Sequence, residues 1–205
     1  MNYFEVFGLD RTLAIDAAEL QRRFYELSRQ HHPDFHQGVP AAEQALTLEM
    51  SARVNAAYRA LRDPIARVEY LVRLEEGRET EPVDTPRRAK EGDAVKPKAP
   101  PELLEEMFEI QEALQEVRAG GLDDATRATL VAQRERLVAR RTAEESRIIG
   151  ELSAAWDAAG AADRPQALTA LKAALATRAY LRTVVDDLGE ALGGAEEDHV
   201  AHHRH

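Results

Sequence analysis

Apolar residues recur at helical intervals on both sides of one long break in this chain. Leu20, Phe24, Leu27 and His31 stand at i, i+4, i+7 and i+11, one face of an amphipathic helix, with Arg22, Glu26 and Arg29 roughly opposite. Asp16 and Glu19 have the spacing of a capping box and mark its start. Pro33 cannot continue the helix and turns His32 away from helical geometry, so the run ends in a polar His32-Pro33-Asp34 corner. A further helix carries Ala45, Leu48, Ala52, Val54, Asn55, Ala57, Tyr58 and Leu61. Asp63-Pro64 then supplies the N-cap and first-turn proline of another.

From Glu75 to Pro101 the period vanishes. Pro82, Pro86, Pro97, Pro100 and Pro101, with Gly77 and Gly92, mark a charged linker that holds three of the four lysines. Beyond it Leu103, Met107, Ile110, Leu114 and Val117 form a second stripe, which Gly120-Gly121 ends and Asp123 or Asp124 follows as a new cap. A long second helix holds Leu130, Leu137, Ile148, Ile149, Leu152 and Trp156. A third opens at Asp163, Pro165 and Gln166, runs to about Leu192 and is expected to stop at Gly193-Gly194. In that third helix Leu168, Leu171 and Leu175 share one face, whereas Leu181, Val185, Leu188 and Leu192 lie nearly opposite. Either the helix bends near Thr177 or its two ends pack against different neighbours. The pattern is all-α, and its last three helices with short joints predict an antiparallel bundle.

Composition narrows the function classes. The 205 residues suit one or two small domains, and 31% charged against 5% aromatic residues favours an extended helical protein with much solvated surface. A net charge of -10 argues against general nucleic-acid binding. Residues 1–75 hold nine Arg against eleven Asp and Glu, so -8 of that charge falls on the remainder. With no cysteine there is no thiolate to hold a cluster or zinc. No stretch approaches the ~18 apolar residues of a membrane span. Folded-looking sequence begins at Asn2, so no leader peptide and a cytoplasmic location are expected. His31, His32, Asp34 and His36 are dense in possible metal ligands, as is the tail with His199, His202, His203 and His205. His31, however, falls on the apolar stripe and the other three in a loop, so no metal site is expected there.

The tripeptide gains meaning from its surroundings. Asn2-Tyr3-Phe4-Glu5-Val6-Phe7-Gly8-Leu9, the basic helix, His32-Pro33-Asp34 and the run Asn55-Ala56-Ala57-Tyr58-Arg59-Ala60-Leu61-Arg62-Asp63-Pro64 follow one another in the order of a J-domain, which residues 1–74 resemble. Arg67-Val68-Glu69-Tyr70-Leu71, with Met1-Asn2-Tyr3-Phe4, is similar to the HscB-type co-chaperones of iron–sulfur cluster assembly. That resemblance implies an N-terminal J-domain (a helical hairpin with short flanking helices) over 1–75 and a linker over 76–101. It implies a three-helix bundle that binds the client scaffold over 102–192, before a disordered acidic and His-rich tail over 193–205. It implies no enzyme and no cofactor, but two protein partners: a heat-shock chaperone ATPase of the DnaK or HscA class and the iron–sulfur cluster scaffold protein.

For the chaperone the resemblance implicates His32, Pro33 and Asp34 at the corner, with Arg22, Arg29 and, less directly, Arg23 on the helix. For the client it implicates Leu104, Phe108, Glu109, Glu112, Tyr180 and Arg178. Leu104 and Phe108 lie beside the stripe of their helix, as the edge of a wide buried face or as an exposed apolar pair with an acidic rim. Two departures stand out. Glu105 occupies a position where the family has an apolar residue, and Ala179 one where it has arginine, with Arg178 next to it. The alternative function is a general J-domain co-chaperone without an iron–sulfur client.

Overall fold

The computed structural model describes residues 1–32, 40–78, 103–121 and 123–202. Among these the fold is all-α, without a strand. The helices are α1 (Tyr3–Val6), α2 (Ala17–Gln30), α3 (Ala41–Arg62), α4 (Pro64–Glu75), α5 (Leu104–Gly120), α6 (Asp124–Arg147), α7 (Ser153–Ala158) and α8 (Arg164–His202), with a π-helical turn at Ile148–Leu152 joining α6 to α7. The chain forms two compact units, one of Met1–Arg87 with Ile148–Lys172, the other of Arg88–Arg147 with Ala173–His205.

The first unit is built on α2, α3 and α4. Asp16 caps α2 by accepting from the Ala18 and Glu19 amides at 2.8 and 3.2 Å. The Glu19 carboxylate does not return to the cap as a capping box would. It takes the guanidinium groups of Arg22 and Arg23 instead, which are stronger donors than a neutral amide. Leu20 is buried, and Phe24 stacks on Tyr58 of α3 with ring centroids 4.1 Å apart. That contact joins the middle of α2 to the last turns of α3. At 22 residues against 14, α3 outreaches α2 by roughly 12 Å at about 1.5 Å per residue. Its core contacts are accordingly concentrated in Val54, Ala57, Ala60 and Leu61, while Leu46 and Leu48 are exposed. Asp63 ends α3 and caps α4 through the Ala66 amide, with Pro64 at the first helical position.

The N-terminal segment is pinned by α4. Asn2 and Glu5 close a capping box around α1. The Tyr70 hydroxyl accepts from the Tyr3 amide at 2.8 Å while the two rings stack at 4.4 Å. Arg67, only 6% exposed, donates from Nε to the Leu61 carbonyl at 2.8 Å and from Nη1 to the Leu13 carbonyl. Burial pushes its pKa down, against the pull of Asp63 and Asp157.

Residues 148–172 complete this unit from far along the chain. The Asp157 carboxylate accepts from the Leu13 and Ala14 amides at 2.7 and 2.8 Å. The loop at Leu13 is thus gripped twice, its carbonyl by a guanidinium and its amide by a carboxylate. The Trp156 indole donates to the Arg11 carbonyl at 3.3 Å and its ring lies under the Arg164 guanidinium, 5.2 Å away. Glu76 pairs with Lys172, and Glu75 with Arg11 at 3.4 Å. The expected long second helix is interrupted where Ser153 Oγ donates to the Ile148 carbonyl at 2.7 Å, within the π-helical turn.

In the second unit Leu103, Ile110 and Leu114 of α5 and its approach meet Leu130 and Leu137 of α6 and Tyr180, Leu181, Val184, Val185 and Leu188 of α8. Of the residues on the two faces of α8, Leu171 is buried in the first unit, and Leu181, Val185 and Leu188 are buried in the second. The helix also runs through Gly193-Gly194 to His202 and does not stop there. A glycine costs a helix interior about 1 kcal/mol, a penalty that flanking good helix formers such as Leu192, Ala195, Glu196 and Glu197 can offset.

Replacing Asp157 by Ala removes the acceptor of two loop amides, and a loss of about 1–3 kcal/mol in stability is expected. Urea unfolding followed by the fluorescence of Trp156, the only tryptophan, measures it. An unchanged midpoint would show that the loop holds without this grip.

Candidate functional site

The outer face of α2 carries a ladder of charge. Arg22 donates to Glu19 through Nη2 and to Glu26 through Nη1, both at 2.7 Å. Arg23 pairs with Glu19 at 2.7 Å and also donates to the carbonyls of Phe7 and Gly8 at 2.6 and 3.0 Å, so it ties the end of α1 to α2. Hydrogen bonds from Arg22 and then Arg23 lower the Glu19 pKa to about 2, and Glu19 in turn raises that of Arg22. Arg29 lies exposed in the last turn. His32 is exposed just past the helix, whereas Pro33 and Asp34 lie outside the described residues. Of the six residues the sequence assigns to this face, Arg22, Arg29 and His32 are presented outward, and Arg23 is mainly a structural tie.

On the second unit, Leu104, Phe108 and Glu112 run at i, i+4 and i+8 along α5, with Glu109 beside them. Phe108 is 68% exposed and Leu104 41%, and both glutamates are exposed. These four form an outward apolar strip with an acidic rim. The core of α5 is a different set, Ile110 and Leu114, so the pair is not the margin of the buried face. Nothing is described for the side chain of Glu105.

Tyr180 and Arg178 are less exposed than the residues of the strip. Tyr180 is 7% exposed within the hydrophobic cluster, and burial raises its pKa, with the charges of Glu106 and Asp187 adding to the effect. Arg178 is largely covered and donates from Nε to Glu145 of α6 at 2.9 Å. Through that pair it crosslinks two helices of the bundle. Residue order alone does not reveal this, because both positions are legible only as neighbours of Leu181.

Residues 2–70 match the DnaJ domain family model. The N-terminal segment is a DnaJ domain. Human co-chaperone protein HscB is similar to the chain at 23% identity, over 92% of this chain and 81% of that one, with a TM-score of 0.56. Chaperone HscB from Vibrio cholerae is 23% identical over 98% of this chain and 99% of that one, with a TM-score of 0.47. The likeness to the human protein is one of fold, and it extends past the DnaJ domain into the second half of the chain. Among the described residues no helix is long and apolar enough to cross a membrane, and no cluster of His, Asp and Glu could hold a metal ion.

Within the DnaJ domain, one exposed aromatic on α2 escapes a reading based on charge: Tyr25, 60% exposed. Its signal in the sequence is an aromatic residue lying off the Leu20–Phe24–Leu27 stripe.

Two outcomes follow from these placements. Tyr180→Ala should lower the stability of the second unit by about 3–5 kcal/mol, while Phe108→Ala leaves the melting temperature near that of wild type. Thermal unfolding by circular dichroism separates core from surface. The Glu19 pairs are complete above the ordinary carboxyl value of 4.5 and are lost as pH falls toward about 2, because the folded pKa is the lower one. The deficit of Glu19→Gln relative to wild type should therefore be full at neutral pH and shrink across that acid range. A deficit independent of pH in urea titrations would exclude the ladder as its source.

Proposed function

We propose that this protein is an HscB-type co-chaperone. Its DnaJ domain stimulates the ATPase of a DnaK- or HscA-class heat-shock chaperone, and its second unit delivers the iron–sulfur cluster scaffold protein to that ATPase. The observation that carries this reading is the conjunction of a DnaJ domain with a second unit that exposes Leu104 and Phe108 beside Glu109 and Glu112. An apolar strip of this kind with an acidic rim suits a protein client that has an apolar seat and basic neighbours. Tyr180 and Arg178 support the reading indirectly, as the packing and crosslink that hold the bundle beneath the strip.

On the chaperone side, Arg22 and Arg29 orient α2 against an acidic groove, and their contribution weakens with salt. Asp34 accepts a hydrogen bond from an arginine or backbone donor of the ATPase, His32 adds a polar contact, and Pro33 keeps the corner stiff. The chain itself performs no chemistry in this scheme. Binding favours the hydrolysis-competent state of the ATPase by differential affinity, and tethering the client raises its effective concentration there.

Single-turnover ATP hydrolysis by the cognate chaperone tests both halves. Wild type should stimulate, the scaffold protein should add to the effect, and Asp34→Asn should be inert. Stimulation that ignores the scaffold would leave a general J-domain co-chaperone without an iron–sulfur client. No stimulation at all would end the co-chaperone reading.

A further inference from the structure

In a chain whose net charge is -10, α6 is a basic helix: it holds six arginines against four carboxylates. Two contacts fix how it runs beside α8. Arg178 Nε donates to Glu145 at 2.9 Å, and Arg134 Nε lies 3.6 Å from where a side chain on Gly189 would begin. Between these contacts lie eleven residue steps on α6 and eleven on α8, counted in opposite directions. Four steps inward from the Glu145–Arg178 pair, Arg141 of α6 therefore comes level with Arg182 of α8. Arg141 shares the side of its helix with Arg134 and Glu145, and Arg182 shares the side of Arg178 and Gly189.

The seam between the two helices is lined by the guanidinium groups of Arg134, Arg141, Arg178 and Arg182. Among the described residues, Glu145 is the carboxylate that answers one of them, Arg178. No described carboxylate pairs with the other three, and that includes Asp186, one turn beyond Arg182. Arg141 is partly buried, and its Nε is sealed from solvent without a hydrogen-bond acceptor. A sealed donor with no acceptor and like charges held at one level are both relieved by an anion set between them.

The chemistry of that anion follows from the seam. Glu145 shows that a carboxylate seats at one end of it. From Arg134 to Arg141 the seam runs roughly 10 Å at about 1.5 Å per residue, the span of about three residues of extended chain. The strongly negative balance of the rest of the chain disfavours a long polyanion such as a nucleic acid. We propose that the α6–α8 seam binds an acidic segment of a partner protein, whose carboxylates take the forks of Arg141 and Arg182. This surface is separate from the strip on α5 and does not depend on the co-chaperone reading.

Fluorescence anisotropy of a labelled hexaglutamate peptide, titrated with the full chain, tests the seam. The variants are Arg141→Gln, Arg182→Gln and, as a control, Arg136→Gln, an exposed arginine about 200° around α6 from Arg134. Wild type should bind the peptide. Arg141→Gln and Arg182→Gln should each weaken binding about fivefold or more, and Arg136→Gln should stay within about twofold. Circular dichroism should show all three folded, because glutamine is nearly as good a helix former as arginine. Equal weakening by all three would mean attraction to charge in general and would overturn the site. So would a wild-type chain that ignores the peptide. Inorganic tripolyphosphate bound more tightly than the peptide would make the seam a phosphate site and overturn the acidic partner.

Discussion

The buried guanidinium of Arg67 is the constraint on which the first unit depends. A permanently charged group placed among Leu13, Leu61 and α4 is tolerated only when its donors are met and opposite charge lies near. Nε and Nη1 reach the carbonyls of Leu61 and Leu13, and Asp63 and Asp157 bring opposite charge near. In meeting them, Arg67 fixes the turn between α3 and α4, the loop before α2 and the approach of α7. Tyr70, one turn further along α4, does the same for the N-terminus through the Tyr3 amide. The short Arg67–Leu71 run that resembles HscB-type proteins is therefore a set of structural ties more than a contact surface. Its chemistry specifies how the DnaJ domain is assembled.

The α2 surface illustrates how charge on a helix differs from charge in a sequence. Arg22 and Arg29 read as a basic face, but Glu19 and Glu26 lie one turn from Arg22 and engage all three of its guanidinium nitrogens. The consequence is a stiff, nearly neutral ladder. Such a face presents geometry to a partner more than potential, which suits recognition of one groove over general attraction to acidic surfaces.

Much of this was readable from local pattern. The α2 stripe, the Asp16 cap, the Asp63-Pro64 junction and the helical bundle positions all follow from the 3.6-residue period and from side chains that cap their own neighbours. Interactions across long sequence separations were not. Asp157 reaches Leu13 across 144 residues, and an aspartate near a helix end carries no mark of that partner. Tyr180 and Arg178 sit beside an apolar position, and whether such residues turn inward depends on how α6 and α8 pack. The exposure of Phe108 was undecided in the sequence for the same reason. Its resolution came from Ile110 and Leu114 filling the core of the bundle.

One consequence concerns the length of α8. Within the second unit its residues Leu181, Val185 and Leu188 recur at helical intervals and are buried together. A single residue inserted or deleted within that stretch would turn the positions beyond it by about 100° about the helix axis, away from the apolar cluster. Only changes near seven residues, two full turns, restore the phase. Through drift in sequence, this stretch of α8 is thus free to vary in residue type at its exposed positions but not in count, like a ruler whose divisions are helical turns.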